Sequence, residues 1–113
     1  MNKEIKAKWV AALRSGDYVQ GKGKLRSDGK FCCLGVLCNL HAQAHPAIAA
    51  MQQDGTSYMG KASFPHKKVS NWAGLEDCGD NRVSINGISN SLAEHNDCGR
   101  TFLEIADAIE SQL

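Results

Sequence analysis

Apolar residues recur at helical spacing near both ends of the chain. Asn2 is a residue type that caps helices, and Gly16 is typical of a helix end; the apolar stripe between them is Ile5, Trp9, Ala12 and Leu13. Farther along, Thr101 and Glu104 match a capping box. The face that follows it is Phe102, Ile105, Ala106, Ile109 and Leu113. The pattern therefore predicts an amphipathic helix at each end.

The segment Phe31–Leu40 reads FCCLGVLCNL and is apolar on every side. Such a run fits a buried strand or a buried helix, and periodicity does not separate the two. We favour a short strand at Phe31–Cys32 that runs into a helix, with Gly35 allowing another backbone to approach closely. Before this block, Tyr18–Arg26 is an extended stretch interrupted by glycines, and Asp28-Gly29 favours a tight hairpin turn.

The rest of the chain predicts short elements separated by loops. Pro46 opens a helical turn that stops at Asp54-Gly55, and Ser57–Met59 forms a short strand. Another short helix has Pro65 in its first turn and Gly74 at its end. The inward positions of that helix are Val69, Trp72 and Ala73. Beyond a loop at 76–81, a strand contains Val83 and Ile85, and a helix contains Ile88, Leu92 and Ala93.

Together these elements predict an α+β fold in one small domain of residues 1–113. We expect the N- and C-terminal helices to pack with the central buried helix, beside a small and mainly antiparallel sheet. The inner faces of these elements should form one core, whose predicted members are Trp9, Leu13, Phe31, Leu34, Leu37, Trp72, Phe102, Ile105 and Ile109.

Composition is that of an ordinary globular protein, with 42% hydrophobic and 22% charged residues. No apolar run approaches the ~20 residues needed to cross a bilayer, so no membrane association is expected. The five cysteines are odd in number, and no apolar signal-peptide core follows Met1. We therefore expect free, mostly buried thiols in a reducing cytoplasm.

Charge changes this picture only locally. The net charge is +1, but residues 1–30 carry eight basic and three acidic side chains, and residues 31–113 carry five basic and nine acidic ones. A basic end on a nearly neutral chain can attract an anion. This balance falls well short of what a dedicated nucleic-acid binder shows.

The most suggestive basic cluster lies in the glycine-interrupted stretch. Glycines let backbone amides approach an anion, and the flanking bases supply positive charge. The spacing matches neither a Walker loop nor a dinucleotide-binding fingerprint. The same bases also suit a solvated hairpin whose lysines keep an edge strand soluble. The candidate ligand-binding residues are Gly21, Lys22, Gly23, Lys24, Arg26 and Lys30.

A metal site is not expected from the Cys and His spacing. On a helix Cys38 and His41 share a face, but Cys33 lies about 140° away from Cys38 around the axis. No Cys-x-x-Cys pair occurs in the sequence. We therefore predict neither a bound metal nor another cofactor.

Catalysis has weak support in the sequence. Cys98 with His95 or His66 can be drawn as a nucleophile and its base, and Asp97 could orient the base. No nucleophile motif surrounds these residues. The expectation is therefore a protein that is not an enzyme, with a small enzyme acting on a nucleotide as an alternative.

Several stretches resemble a family of small uncharacterised proteins encoded by bacteriophages and prophages. The stretches are Trp9–Gly16, Gln20-Gly21 with Leu25-Arg26, the block Phe31–Cys38, Trp72–Leu75 and the tail Phe102–Glu110. The resemblance covers most of the chain, and the Phe-Cys-Cys-Leu-Gly-Val-Leu-Cys block is specific. It implies a phage accessory protein in the host-cell cytoplasm, and it supplies neither a reaction nor catalytic residues.

With that origin, we expect a viral binding protein that sequesters a small phosphate-bearing nucleotide signal without catalysis, as an anti-defence sponge. A homo-oligomer is expected, because pockets shared between subunits bury a small ligand more completely. The alternative is a nucleic-acid or host-protein interaction module. Its electrostatic footprint would be Lys3, Lys6, Lys8, Lys22 and Lys24, and its binding to DNA or RNA would weaken steeply with salt.

Overall fold

The computed structural model describes residues 1–51, 55–76 and 81–113, and in these ranges it combines helices with short strands. The helices are α1 (Lys3–Arg14), α2 (Cys33–Ala44), α3 (Pro46–Ala50), α4 (Lys67–Ala73), α5 (Leu92–Asp97) and α6 (Phe102–Gln112). The strands are β1 (Val19–Gln20), β2 (Arg26–Ser27), β3 (Lys30–Phe31), β4 (Arg82–Ile85) and β5 (Ile88–Ser91). The predicted α+β fold class is confirmed.

The two amphipathic end helices form as the sequence predicts. The Asn2 side chain accepts a hydrogen bond from the Ile5 amide at 3.0 Å, which caps α1. Thr101 and Glu104 form the predicted capping box at the start of α6. The two helices pack against each other, and α1 also contacts α2. The Trp9 indole donates to the Cys33 carbonyl at 2.9 Å, which joins α1 to the start of α2 inside the core.

The central apolar block is a short strand followed by a helix, as predicted. β3 ends at Phe31, and Cys32 caps α2 by accepting a hydrogen bond from the Gly35 amide at 3.3 Å. Every residue from Cys32 to Cys38 is buried. The one hydrophilic side chain of α2 that is also buried belongs to His41. The block is apolar all round because other elements surround it on all sides.

Gly35 is required by a close crossing of two backbones. A Cβ placed on it would lie 1.7 Å from the carbonyl oxygen of Leu25. Leu25 itself is only 1% exposed and belongs to the core. The predicted close approach at Gly35 is therefore present, and its partner is the segment between β1 and β2.

The strands form two separate sheets within the described residues. The first has the order β1-β3-β2, with β1 parallel and β2 antiparallel to β3. The predicted Asp28-Gly29 turn joins β2 to β3, with positive φ at both residues. The second sheet is the antiparallel hairpin β4–β5. The sequence predicted a single, mainly antiparallel sheet. It did not predict the parallel pair, because β1 pairs with β3 and not with β2, which is the next strand in the chain.

Three predicted elements differ in detail. Ser57–Met59 is not a strand: Tyr58 forms an isolated bridge to Lys61 around a turn in which Met59 has a φ of 53°. Ile88 begins β5 instead of a helix, because Asn86-Gly87 makes a tight turn with positive φ at both residues. Pro65 precedes α4, whose N-cap is His66. The predicted stop at Asp54 and most of the predicted loop at 76–81 lie outside the described residues.

One hydrophobic core contains most of the residues predicted for it. Phe31 and Trp72 are the exceptions, since both are half-buried and pack against its edge. Sequence patterning missed core positions in short or irregular segments, which are Leu25, Tyr58 and Leu75. No helix in the described parts of the chain is long and apolar enough to cross a membrane.

Candidate ligand-binding site

The structure separates the six residues predicted to bind a ligand. In the first sheet Arg26 pairs with Phe31, and Ser27 pairs with Lys30. Directly opposite residues share a face of a sheet, and successive residues alternate between faces. Arg26 therefore lies on the same face as Phe31, whereas Lys30 lies on the opposite face and is exposed.

The glycine amides of the predicted cradle are already hydrogen-bonded within the protein. The Gly21 amide donates to the Phe31 carbonyl at 2.7 Å, and the Gly23 amide donates to the Asp97 carboxylate at 2.9 Å. Lys22 and Lys24 are exposed. Because the glycine amides bind acceptors within the chain, and Arg26 and Lys30 lie on opposite faces, the six residues do not form a single phosphate cradle.

Arg26 instead lines a cavity of about 160 Å³. The cavity lies between the β2–β3 hairpin, α2, α3 and the Tyr58 turn. A cavity near 150 Å³ is large enough for benzene, so this one accommodates a single ring or a group of similar size. The residues that line it are Leu25, Arg26, Phe31, Gly35, Cys38, Asn39, Ala42, Ala49 and Tyr58.

One side chain is charged among the described residues that line this cavity. Arg26 is the only charged residue type among the described residues of the lining, and the other walls are mainly apolar. Its guanidinium donates to the Ser57 carbonyl at 3.4 Å. Arg26 makes this contact and a further one inside the protein, and a guanidinium with five N–H donors can contact several partners at once. The cavity therefore suits a ligand with a small apolar body and an anionic group.

Two side chains fix the wall beside Phe31. The Asn39 amide donates to the Tyr18 hydroxyl at 2.6 Å. The Tyr18 ring meets the Phe31 ring edge-on, with centroids 5.0 Å apart. Tyr18 thus links α2 to the first sheet and limits the rotation of Phe31 at the cavity edge.

A cluster of aromatic rings holds the opposite wall. The Tyr58 hydroxyl lies 2.7 Å from Nδ1 of His41, whose ring stacks on His45 with centroids 4.0 Å apart. The Trp72 ring meets His41 edge-on at 5.1 Å. Burial, with smaller contributions from His45 and His66, lowers the pKa of His41 to about 4. His41 is therefore neutral at pH 7, and its Nδ1 can accept a hydrogen bond from the Tyr58 hydroxyl.

The thiol in the cavity is a poor nucleophile. Burial raises the pKa of Cys38 to about 12, so the thiol keeps its proton at neutral pH. Burial also raises the pKa values of Cys32 and Cys33. These three free cysteines are buried, as the sequence predicts, and Cys98 is exposed. Cys78 lies outside the described residues.

The nucleophile and base drawn from the sequence do not form a site. His95 is buried, and its Nε2 donates to the Val83 carbonyl at 2.8 Å. The His66 ring caps α4 by accepting from the Lys68 amide at 3.0 Å. Both imidazoles therefore hold the backbone in place. Across the described ranges, no group of three or more Cys, His, Asp or Glu side chains is placed to hold a metal ion.

A buried amide that the sequence did not single out ties the end of β1 to the start of α2. Asn96 is fully buried, donates to the Gly21 carbonyl at 2.8 Å and accepts from the Cys33 amide at 3.1 Å. It also accepts from Gln20 at 3.0 Å, and Gln20 donates to the Arg100 carbonyl at 2.7 Å. In the sequence Asn96 reads as a turn residue after a helix, and nothing local signals its contact with residue 21.

Comparison with known proteins gives a family and no activity. A family model described as a domain of unknown function (DUF8296) matches residues 1–113. No curated protein and no solved structure matches the chain. The family description assigns no reaction, so a functional conclusion depends on the geometry of the cavity.

Proposed function

The chain belongs to the family described as a domain of unknown function (DUF8296), and we propose that it binds a small anionic ligand without altering it. The observation that carries this proposal is the position of Arg26, a cation on the wall of an otherwise mainly apolar cavity of about 160 Å³. Ligand sites are typically apolar concavities in which a few polar groups fix the orientation of the ligand.

The groups around the cavity favour binding over catalysis. The Cys38 thiol is protonated at neutral pH because burial raises its pKa to about 12. Burial also raises the pKa of Tyr58, so its hydroxyl keeps its proton. Neither group is poised to transfer a proton or to attack a ligand at pH 7.

The size of the cavity limits how a nucleotide would bind. A single chain offers room for one ring-sized group, so most of a nucleotide would lie outside the cavity. The finer proposal is therefore that a ring enters the cavity while a phosphate contacts Arg26 at its edge. In that form the protein would be a bacteriophage accessory protein that sequesters a nucleotide signal in the host cell.

Calorimetric titration of wild type, Arg26→Gln and Lys30→Gln tests this proposal. The probes are adenosine monophosphate, a cyclic mononucleotide, ADP-ribose and phenyl phosphate. Loss of a charge-assisted hydrogen bond in Arg26→Gln should weaken binding by about tenfold or more. Lys30→Gln is the matched control, because Lys30 lies on the opposite, exposed face of the same hairpin, and it should bind within about twofold of wild type.

Two results would oppose the proposal. If Lys30→Gln loses as much affinity as Arg26→Gln, the ligand is held by the exposed bases and not by the cavity. If the bound probe is recovered hydrolysed, the protein is an enzyme. Recovery of intact probe, measured by mass spectrometry after incubation, is the result we expect.

The exposed lysines favour a second candidate, an interaction module for nucleic acid or a host protein. Lys3, Lys8, Lys22 and Lys24 are all exposed on the basic N-terminal part of the chain. Their contacts with nucleic acid would release counterions, so affinity for DNA or RNA would fall steeply as salt increases. Affinity for a ligand at the Arg26 cavity should depend on salt much less.

A further inference from the structure

The hairpin β4–β5 has two edges, and their outward-facing backbone groups differ in hydrogen bonding. In an antiparallel hairpin closed by a two-residue turn, cross-strand pairs alternate between those that exchange hydrogen bonds and those that do not. Here Ile85 and Ile88 flank the Asn86-Gly87 turn and form the first bonded pair, so Ser84 and Ser89 form the next, non-bonded pair. Their N–H and C=O groups therefore point outward, from opposite edges.

The β4 edge is closed by a side chain from α6. Oε1 of Gln112 accepts from the Ser84 amide at 2.7 Å, and Nε2 of Gln112 donates to the Ser84 carbonyl at 2.8 Å. The primary amide thus makes the same two hydrogen bonds that a neighbouring strand would make. This edge is not open to another chain.

The β5 edge offers the same two groups at Ser89, which is exposed. Among the described residues, none hydrogen-bonds the outward N–H or C=O of Ser89. The strand Ile88–Ser91 contains no charged residue and no proline, which are two of the devices that protect an edge from pairing. Ile88 is 53% exposed at the same edge, next to the turn.

We infer that β5 pairs with β5 of a second copy of this chain, in an antiparallel dimer with two-fold symmetry. In this arrangement the Ser89 amide donates to the carbonyl of Ser89 of the partner subunit, and the reverse bond follows from the symmetry. Ile88 lies opposite Asn90 of the partner subunit, which covers its exposed surface. Each hairpin becomes half of a four-stranded sheet.

A second copy fits this edge better than a charged partner does. Because β5 carries no charge, two copies approach without like-charge repulsion, and each supplies both the donor and the acceptor that the other lacks. The contact is short, so the dimer is expected to be weak and dependent on concentration. None of the residues lining the Arg26 cavity lies on this edge, so ligand binding and pairing are separable.

Sedimentation equilibrium over a range of protein concentrations tests the inference, with wild type and three variants of the full chain. Ser89→Pro removes the outward donor, and Ile88→Lys adds a like charge at the edge. Each should raise the dimer dissociation constant by about tenfold or more. Leu103→Lys is the control, because Leu103 is an exposed apolar residue of α6 that lies outside the hairpin, and it should leave the constant within about twofold.

Thermal unfolding checks that each variant is folded before its association is compared. If Ser89→Pro disturbs the hairpin, Ile88→Lys provides the test of the edge. A wild type that stays monomeric up to about 1 mM overturns the inference and leaves the edge to an extended segment of another protein. Dimerisation of both edge variants at the wild-type concentration also overturns it. A loss of dimer affinity in Leu103→Lys as large as that in the edge variants overturns it as well.

Discussion

Residues 21–35 contribute to two neighbouring regions, one packed in the interior and one exposed to solvent. On one side, Leu25 crosses α2 at Gly35, and Asn96 ties the Gly21 carbonyl to the Cys33 amide in the interior. On the other, Lys22, Lys24 and Lys30 are exposed to solvent. We refer to the first region as the crossing and to the second as the basic face. The comparison shows that Gly21 and Gly35 serve internal packing, while the charged side chains of this stretch, except that of Arg26, are exposed.

The largest effect should come from adding one methyl group at the crossing. In Gly35→Ala the new Cβ would meet the Leu25 carbonyl at 1.7 Å, so the two backbones must separate. We expect a loss of about 4 kcal/mol or more in the free energy of unfolding, measured by urea denaturation. The control is Gly29→Ala, where a Cβ meets nothing within 4 Å and only the positive φ is unfavourable. It should cost about 1 kcal/mol, and equal losses in the two variants would contradict the distinction.

The second largest loss of stability should come from replacing Asn96, whose side-chain amide binds Gly21 and Cys33. Asn96→Ala leaves the buried Cys33 amide and the half-buried Gly21 carbonyl without their partner, which should cost about 3 kcal/mol of stability. Lys30→Gln on the basic face should change stability by less than about 0.5 kcal/mol. Chemical denaturation of both variants makes the comparison. A loss in Lys30→Gln that approached the loss in Asn96→Ala would show that the basic face is part of the folded framework.

A smaller effect should appear as a pH dependence of stability that originates on α2. The folded pKa of His41 is about 4, below its ordinary value of 6.5, because burial disfavours the charged ring. Neutral His41 therefore contributes fully to stability above about pH 6.5. As the pH falls toward 4, the unfolded chain binds a proton at this residue before the folded protein does, and the contribution is lost. About 2 kcal/mol of this contribution should be lost by pH 5.

Denaturation of wild type and His41→Gln from pH 7 to pH 4 measures this contribution. The difference between the two proteins should shrink as the pH falls, since the variant cannot take up the proton. Carboxylates titrate in the same range in both proteins, so they cancel in the difference. Parallel curves over the whole range would show that His41 is not responsible.

The helices and the hairpin turn at Asp28-Gly29 follow from local signals that the sequence carries openly. Asn86-Gly87 is an equally strong turn signal, but the spacing of Ile88 and Leu92 also fits a helical face, and the predicted helix start at Ile88 is wrong. β1 pairs with β3, although β2 lies between them in the chain, and Asn96 contacts Gly21, which is 75 residues away. No local pattern in the sequence specifies such contacts.

The candidate site was predictable only in part. Six neighbouring residues looked like one anion cradle because sequence spacing does not show which face of a strand a side chain occupies. The pleat places Arg26 toward α2 and Lys30 away from it, and the glycine amides bind Phe31 and Asp97. Arg26 is thus the predicted ligand residue that lines the cavity, and its neighbours there come from α2, α3 and the Tyr58 turn.

The most direct test of the central claim is to locate the ligand by NMR. Amide chemical shifts of the isotopically labelled protein are followed during titration with phenyl phosphate and with adenosine monophosphate. Binding at the cavity predicts that the largest changes occur at residues that line it, namely Leu25, Phe31, Ala42, Ala49 and Tyr58. Changes concentrated at Lys22, Lys24 and Lys30, with none at the cavity, would contradict the account and move the anion site to the basic face.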